Sequence, residues 1–170
     1  IIYTNFALKS FDCLQYPKRI HIKKGTIVEV AGESIPKLYE VNKGLLRSYT
    51  IDDKGKEHIF LFAPEGWFIA DNIFDGPSEL FIDALEDSEV IVTEKGRVIE
   101  DHLDKISKRF SVLQRRITML MSSSAIERYE HFLETYPQIV QRVPQRMIAS
   151  YLGITPEALS KVKSQNKGNS

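Results

Sequence analysis

Residues 145–162 read QRMIASYLGITPEALSKV, and every constrained position of a two-helix unit with a tight turn holds a residue of the right kind. Ile148 and Leu152 stand four apart on the first helix, and Leu159 and Val162 three apart on the second, so all four meet in one small core. Ala149 is small where the helices cross most closely. Gly153 stands at the turn, where a positive φ costs a glycine nothing. Thr155 suits the N-cap of the second helix, and Pro156 its first position, where the missing N–H does no harm. This is a helix-turn-helix, a unit whose second helix lies in the major groove when it binds DNA. An ordinary helical hairpin also accepts a glycine turn, so the segment alone leaves both readings open.

The chain around it has 170 residues, 42% of them hydrophobic, enough to bury a core as one large domain or two small ones. Net charge is zero, but it is unevenly spread. Residues 138–170 carry Arg142, Arg146, Lys161, Lys163 and Lys167 against Glu157 alone, a net of +4, so residues 1–137 carry −4. An acidic body with a basic end fits a protein that meets phosphates only at that end. Cys13 is the only cysteine, which excludes a disulfide framework, a cysteine-based zinc site and an iron–sulfur cluster. No apolar run is long enough to span a bilayer and no signal-peptide pattern is visible, so a soluble, cytoplasmic setting is expected. The chain starts at Ile1 rather than methionine, and further N-terminal residues are expected before it.

Between about residues 20 and 93 the texture is β. Runs rich in Ile, Val, Tyr and Phe at 27–30, 38–41, 45–51, 59–62, 81–85 and 90–93 alternate with Gly, Asn, Asp and Pro turn signals. Strands at such spacing predict an antiparallel barrel or double-sheet roll, with Asp52-Asp53-Lys54-Gly55 joining a hairpin. The texture then turns helical. Leu103, Ile106, Phe110, Leu113, Ile117, Leu120 and Ser124 recur at alternating spacings of three and four, a heptad seam that predicts a homodimer helix over 103–124. Packing against the chain's own roll also calls for an apolar stripe, and Val112, Met119 and Met121 widen the face enough for both. Ser122-Ser123-Ser124 marks a bend, a further helix spans 125–135, and Tyr136-Pro137 ends it.

A β-roll at 1–102, a dimerisation helix at 103–124 and a helix-turn-helix unit at 125–170, an α+β arrangement with a jelly-roll-like first part, resemble the Crp/Fnr family of bacterial transcription regulators. The resemblance runs from about residue 20 to 163. It rests on the Lys24-Gly25 and Gly32-Glu33 turns, Ala84-Leu85-Glu86-Asp87-Ser88-Glu89-Val90, Ala125-Ile126-Glu127-Arg128, and 149–161. It implies a dimer on a pseudo-palindromic double-stranded DNA operator, with RNA polymerase as a further partner. The family's reading helix begins Ser/Thr-Arg-Glu with a second Arg four residues after the Glu; here Thr155-Pro156-Glu157 and Lys161 occupy those places. Glu157 is retained and suits a cytosine amino group, Pro156 removes one bidentate guanine contact, and Lys161 keeps charge without the planar fork. With Gln145, Arg146, Thr155, Ser160 and Lys163 these form the expected DNA-binding set. Family members often continue into a β-wing; this chain stops at Ser170, so the expectation is a wing naturally absent or cut away.

Cyclic-nucleotide-binding members of the family carry a Gly-Glu for the ribose and an Arg followed by Ser or Thr for the phosphate. Phe68-Ile69-Ala70-Asp71 replaces the first segment here, and Ser78-Glu79 falls at the second, where Glu79 would set a like charge against a phosphate. Cyclic AMP is therefore not the expected effector. Trp67, Phe68, Ala70, Asp71, Ser78, Glu79 and Gln114 remain as the candidate pocket for some other small molecule, with a filled, ligand-free roll as the competing expectation. No cofactor is expected. The four histidines lack metal-ligand spacing, and no Gly-rich phosphate loop, nucleophile elbow or paired catalytic carboxylates stand out, so a metal-dependent cupin enzyme is the weakest reading. The runner-up to a transcription regulator is a ligand-binding or protein-interaction roll whose helix-turn-helix does not read DNA.

Overall fold

The computed structural model describes residues 17–33, 37–71, 76–94 and 103–167. Eight strands come first: β1 (Lys18–Ile22), β2 (Ile27–Glu29), β3 (Lys37–Lys43), β4 (Leu46–Ile51), β5 (Glu57–Ala63), β6 (Phe68–Ile69), β7 (Phe81–Ala84) and β8 (Ser88–Glu94). They form two antiparallel four-stranded sheets, ordered β1-β8-β3-β6 and β2-β7-β4-β5. The sheets face each other across Tyr39, Val41, Leu46, Leu61, Ile82, Val90 and their neighbours, all buried. This is the expected roll, with two additions. β1 was obscured by its charged Lys18 and Arg19 and by its edge position, and β6 is too short to leave a pattern.

Four helices follow: α1 (Leu103–Ser122), α2 (Ala125–Thr135), α3 (Gln145–Leu152) and α4 (Pro156–Lys167). Serine chemistry separates the first two. Ser124 and Glu127 form a capping box, with the Ser124 N–H donating to Glu127 Oε2 at 2.6 Å. Gly153 ends α3 at φ 66°, and the Ile154 N–H reaches back to the Ala149 carbonyl at 3.0 Å. The Ala158 N–H then donates to Thr155 Oγ1 at 3.2 Å, capping α4.

A second core joins the roll to the helices. Leu45, Tyr49, Ile59 and Phe62 pack with Tyr129, Phe132, Tyr136, Ile139, Val143, Ile148, Ala149, Tyr151, Leu152, Leu159 and Val162. A β-bulge makes this possible. Ser48 pairs with Leu61 and Tyr49 with Ile59, so Phe60 is the extra residue on β5 and the strand's inward face changes across it. Leu61 and Ala63 consequently point between the sheets, while Ile59 and Phe62 point at the helices. The Phe62 ring lies 5.7 Å from Tyr151, 6.1 Å from Tyr136 and 6.3 Å from Phe132. Gly44, before β4, has φ 95°, and a Cβ there would come within 2.7 Å of the Ser88 backbone. Only glycine fits this approach.

Candidate nucleic-acid interface

One side of α4 is consumed by the core: Leu159 and Val162 are buried and Ala158 half-buried. The other side presents Thr155, Glu157, Ser160, Lys161 and Ser164, all exposed, with Lys163 half-exposed at its edge. Gln145 and Arg146, in the first turn of α3, are exposed as well. Arg146, Lys161 and Lys163 form no ion pair with any described residue. Hydrogen bonds from its own N–H and from the Thr155 side chain hold the Glu157 carboxyl below the usual range, so it stays ionised. The Ser160 hydroxyl donates back along the exposed helix surface to the Pro156 carbonyl at 3.0 Å. A groove between the β4–β5 hairpin and this surface is lined by Lys56, His58, Arg146, Gly153, Thr155 and Pro156 among others.

Three arginines hold that surface against the rest of the molecule. None of the three was assigned this role by sequence reasoning. Arg128, on α2, donates to Ser123 and Leu120 carbonyls at 3.0 and 2.9 Å and to Leu152 at 3.1 Å, capping the C-terminal ends of α1 and α3 together. Arg116, on α1, donates to the carbonyls of Phe60, of Ile59 at 3.0 Å and of Tyr151 at 3.2 Å. Its guanidinium lies 4.2 Å from the centre of the Tyr151 ring, and burial pushes its pKa down. Arg142 corrects the charge argument. It donates to Glu65 and Glu86 of the roll at 2.8–3.0 Å, so it is spent within the chain and adds nothing to a phosphate-facing surface. Ser150 completes the seating of α3. Its hydroxyl accepts from the Ile59 N–H at 3.0 Å and donates to the Glu57 carbonyl at 3.1 Å, pairing with the open edge of β5.

The candidate ligand pocket divides in three. Trp67 and Phe68 line a cleft of about 510 Å³ with Gly66, Lys108, Ser111, Val112 and Arg115 of α1. Trp67 also packs on Tyr136 at 5.3 Å, and Phe68 on Leu38 and Ala70. Gln114 is not in this cleft; it lines a separate groove with Thr118, Ser123, Glu127 and His131, because its position on α1 turns it away from the roll. Asp71, Ser78 and Glu79 come together elsewhere. The Glu79 side chain is exposed, and the carboxylate turned onto residues 78–80 is that of Asp71.

On α1, Phe110, Ile117 and Met121 are 61%, 59% and 82% exposed, an apolar strip that the described residues leave uncovered. Leu113 and Leu120 are half-buried, and Leu120 lies near Gly153; the side chains of Leu103 and Ile106 fall outside the described residues. Among the described residues, no group of three or more His, Cys, Asp or Glu is placed to hold a metal ion, and no helix is long and apolar enough to cross a membrane.

No protein-family model matches the chain. It is 26% identical, over 83% of its length, to the anaerobic regulatory protein of Aggregatibacter actinomycetemcomitans, and 34% identical, over 59%, to the fumarate and nitrate reduction regulatory protein of Yersinia pestis. It spans 63% and 39% of those relatives' own lengths. Among solved structures, FixK2 from Bradyrhizobium japonicum superposes with a TM-score of 0.69 at 22% identity, covering 89% of this chain and 85% of that one. A CRP/FNR-family transcriptional regulator from Thermus thermophilus gives 0.71 at 18%, covering 89% and 87%. At such identities the superpositions speak for the fold.

Proposed function

Because this chain belongs to the Crp/Fnr family of transcription regulators, we propose that it is a dimeric regulator that reads a pseudo-palindromic operator through α4. The observation that carries this is the division of α4 itself. Leu159 and Val162 lock one face into the core, while Thr155, Glu157 and Lys161 stand exposed on the other beside Arg146. Residues 1–102 serve as the roll, 103–124 as the dimerisation helix and 125–170 as the DNA-binding unit. Glu157 reads a cytosine amino group, Gln145 and Ser160 add polar contacts, and Arg146, Lys161 and Lys163 neutralise phosphates. RNA polymerase is the further partner, and the cleft beside Trp67 is where a small effector would touch both roll and α1.

Two copies of α4 related by the dimer axis enter successive major grooves about 34 Å apart. Selection from a random-sequence DNA pool is therefore expected to return a pseudo-palindrome. Affinity is expected to fall steeply with salt, and Lys161→Ala to reduce the slope of log K against log salt by about one per half-site, weakening all sequences alike. Glu157→Ala is expected to leave that slope unchanged and to cost about 1–3 kcal/mol of discrimination at one base pair. Non-palindromic selection, or binding indifferent to both substitutions, would overturn the reading.

A further inference from the structure

Just after β6, Asp71 turns its carboxylate back onto residues 78–80. A single oxygen, Oδ2, accepts from the backbone N–H of Glu79 and from that of Leu80 at 2.8 Å, and Ser78 Oγ lies 2.7 Å from it. The donors are held firmly. Ser78 is 5% exposed, its N–H donates to the Glu33 carbonyl at 2.8 Å, and its own carbonyl accepts from the Gly32 N–H at 2.8 Å. Two successive backbone N–H groups converging on one point form a concave anion-binding nest, and beside it the Ser78 hydroxyl has one proton to offer among Asp71 Oδ2, the Leu80 carbonyl at 2.9 Å and Glu29. Hydrogen bonds to a charged acceptor are among the stronger ones in proteins.

We propose that this nest is an oxyanion site that the protein fills with its own Asp71 carboxylate, so that residues 78–80 are held in their liganded arrangement without any anion from outside. The surroundings say which class of anion the emptied nest would take. Ser78 Oγ also lies 3.1 Å from Oε1 of Glu29, which is fully buried. A phosphate dianion would bring two charges up to that carboxylate, whereas a small monocarboxylate restores the single charge that Asp71 supplies. The site accordingly prefers formate or acetate to phosphate. For the reading of the roll as a sensor, on which this consequence rests, it means that the nest is not where an effector enters, and at constant ionic strength DNA affinity does not depend on whether formate, acetate or phosphate replaces chloride.

The test is chemical rescue. In chloride buffer, Asp71→Gly is expected to melt roughly 5 °C or more below the wild type, having lost bonds to a charged acceptor. Millimolar formate or acetate is expected to recover about half of that loss by mass action, with phosphate less effective at equal ionic strength. The wild type, already filled, shifts with none of them. Asp71→Asn keeps an amide oxygen in the nest and is expected to show no rescue either. An Asp71→Gly variant as stable as the wild type, one that recovers no more in formate than in chloride, or one better rescued by phosphate overturns the proposal. So does a wild type that gains stability from these anions. Should Asp71→Gly fail to fold, hydrogen exchange in the unmodified protein decides. The Glu79 and Leu80 amides are expected to be protected without any anion, and protection that appears only on adding formate or phosphate sinks the idea. A protein that binds no DNA under any condition would defeat the functional reading alone, because the melts and exchange rates do not depend on it.

Discussion

Arg142 donates from all three guanidinium nitrogens, and its partners Glu65, Glu86 and the Gly44 carbonyl all belong to the roll. It leaves the loop between α2 and α3, so the ion pairs tie the entry to the helix-turn-helix onto the strand end. Arg142 is the main cause holding the Glu65 carboxyl below its ordinary value of 4.5. A carboxyl depressed in the folded state stabilises the fold above its unfolded value, and the contribution is lost as pH falls through the lowered one. Denaturation followed by urea is therefore expected to show the wild type losing stability below about pH 4.5 more steeply than Arg142→Ala. At neutral pH that substitution is expected to cost about 1–3 kcal/mol, the partial exposure of the group keeping it short of a fully buried pair. Parallel pH profiles for the two proteins would show that the pairing adds no pH-linked stability.

β5 ends its sheet, and an open edge ordinarily exposes unpaired N–H and C=O groups. Here α1 and α3 supply the missing partners through Arg116 and Ser150. Ser150→Ala leaves the part-buried Ile59 N–H without its acceptor and the exposed Glu57 carbonyl to water, a loss of about 1–3 kcal/mol. Faster hydrogen exchange at the Ile59 amide should accompany it, and unchanged exchange there would mean that the edge does not need the helix. The opposite side of α1 poses a separate question, since the described residues leave Phe110, Ile117 and Met121 uncovered. Ile117 is 59% exposed in the single chain, so Ile117→Glu costs the protomer little. In a two-fold interface it would place facing carboxylates in an apolar seam, a penalty of several kcal/mol. Sedimentation is expected to show a dimer for the wild type and a monomer for the variant.

At the scale of the molecule, roll and helix-turn-helix share one core rather than meeting across a wet interface, and Phe62 is its pivot among Phe132, Tyr136 and Tyr151. A core that runs through both predicts a single cooperative unfolding transition. Phe62→Ala, a large-to-small change in a fully buried position, is expected to cost about 3–5 kcal/mol and to shift the strand and helix signals together. Two separate transitions, with only the strand signal moved by the substitution, would show that the two parts are stabilised independently.

The helix-turn-helix was legible in the sequence because each of its requirements is local. Ile148, Leu152, Leu159 and Val162 lie within fifteen residues, and the glycine, threonine and proline between them act on their own backbone or the next turn. The strands of the roll showed themselves the same way wherever alternation and a turn signal coincided, and β1 and β6 escaped where those signals were missing. Only the tertiary structure decided where the arginines go. Arg142 meets a carbonyl 98 positions away, and Arg116 meets carbonyls 56 and 57 positions away, whereas charge counting sees only neighbours in sequence. It also decided that a bulge at Phe60 turns Phe62 toward the helices, and that Asp71 fills a nest built from Ser78, Glu79 and Leu80. A long polar side chain takes whichever partners the packed backbone brings within about 3 Å, and that proximity is a property of the fold as a whole.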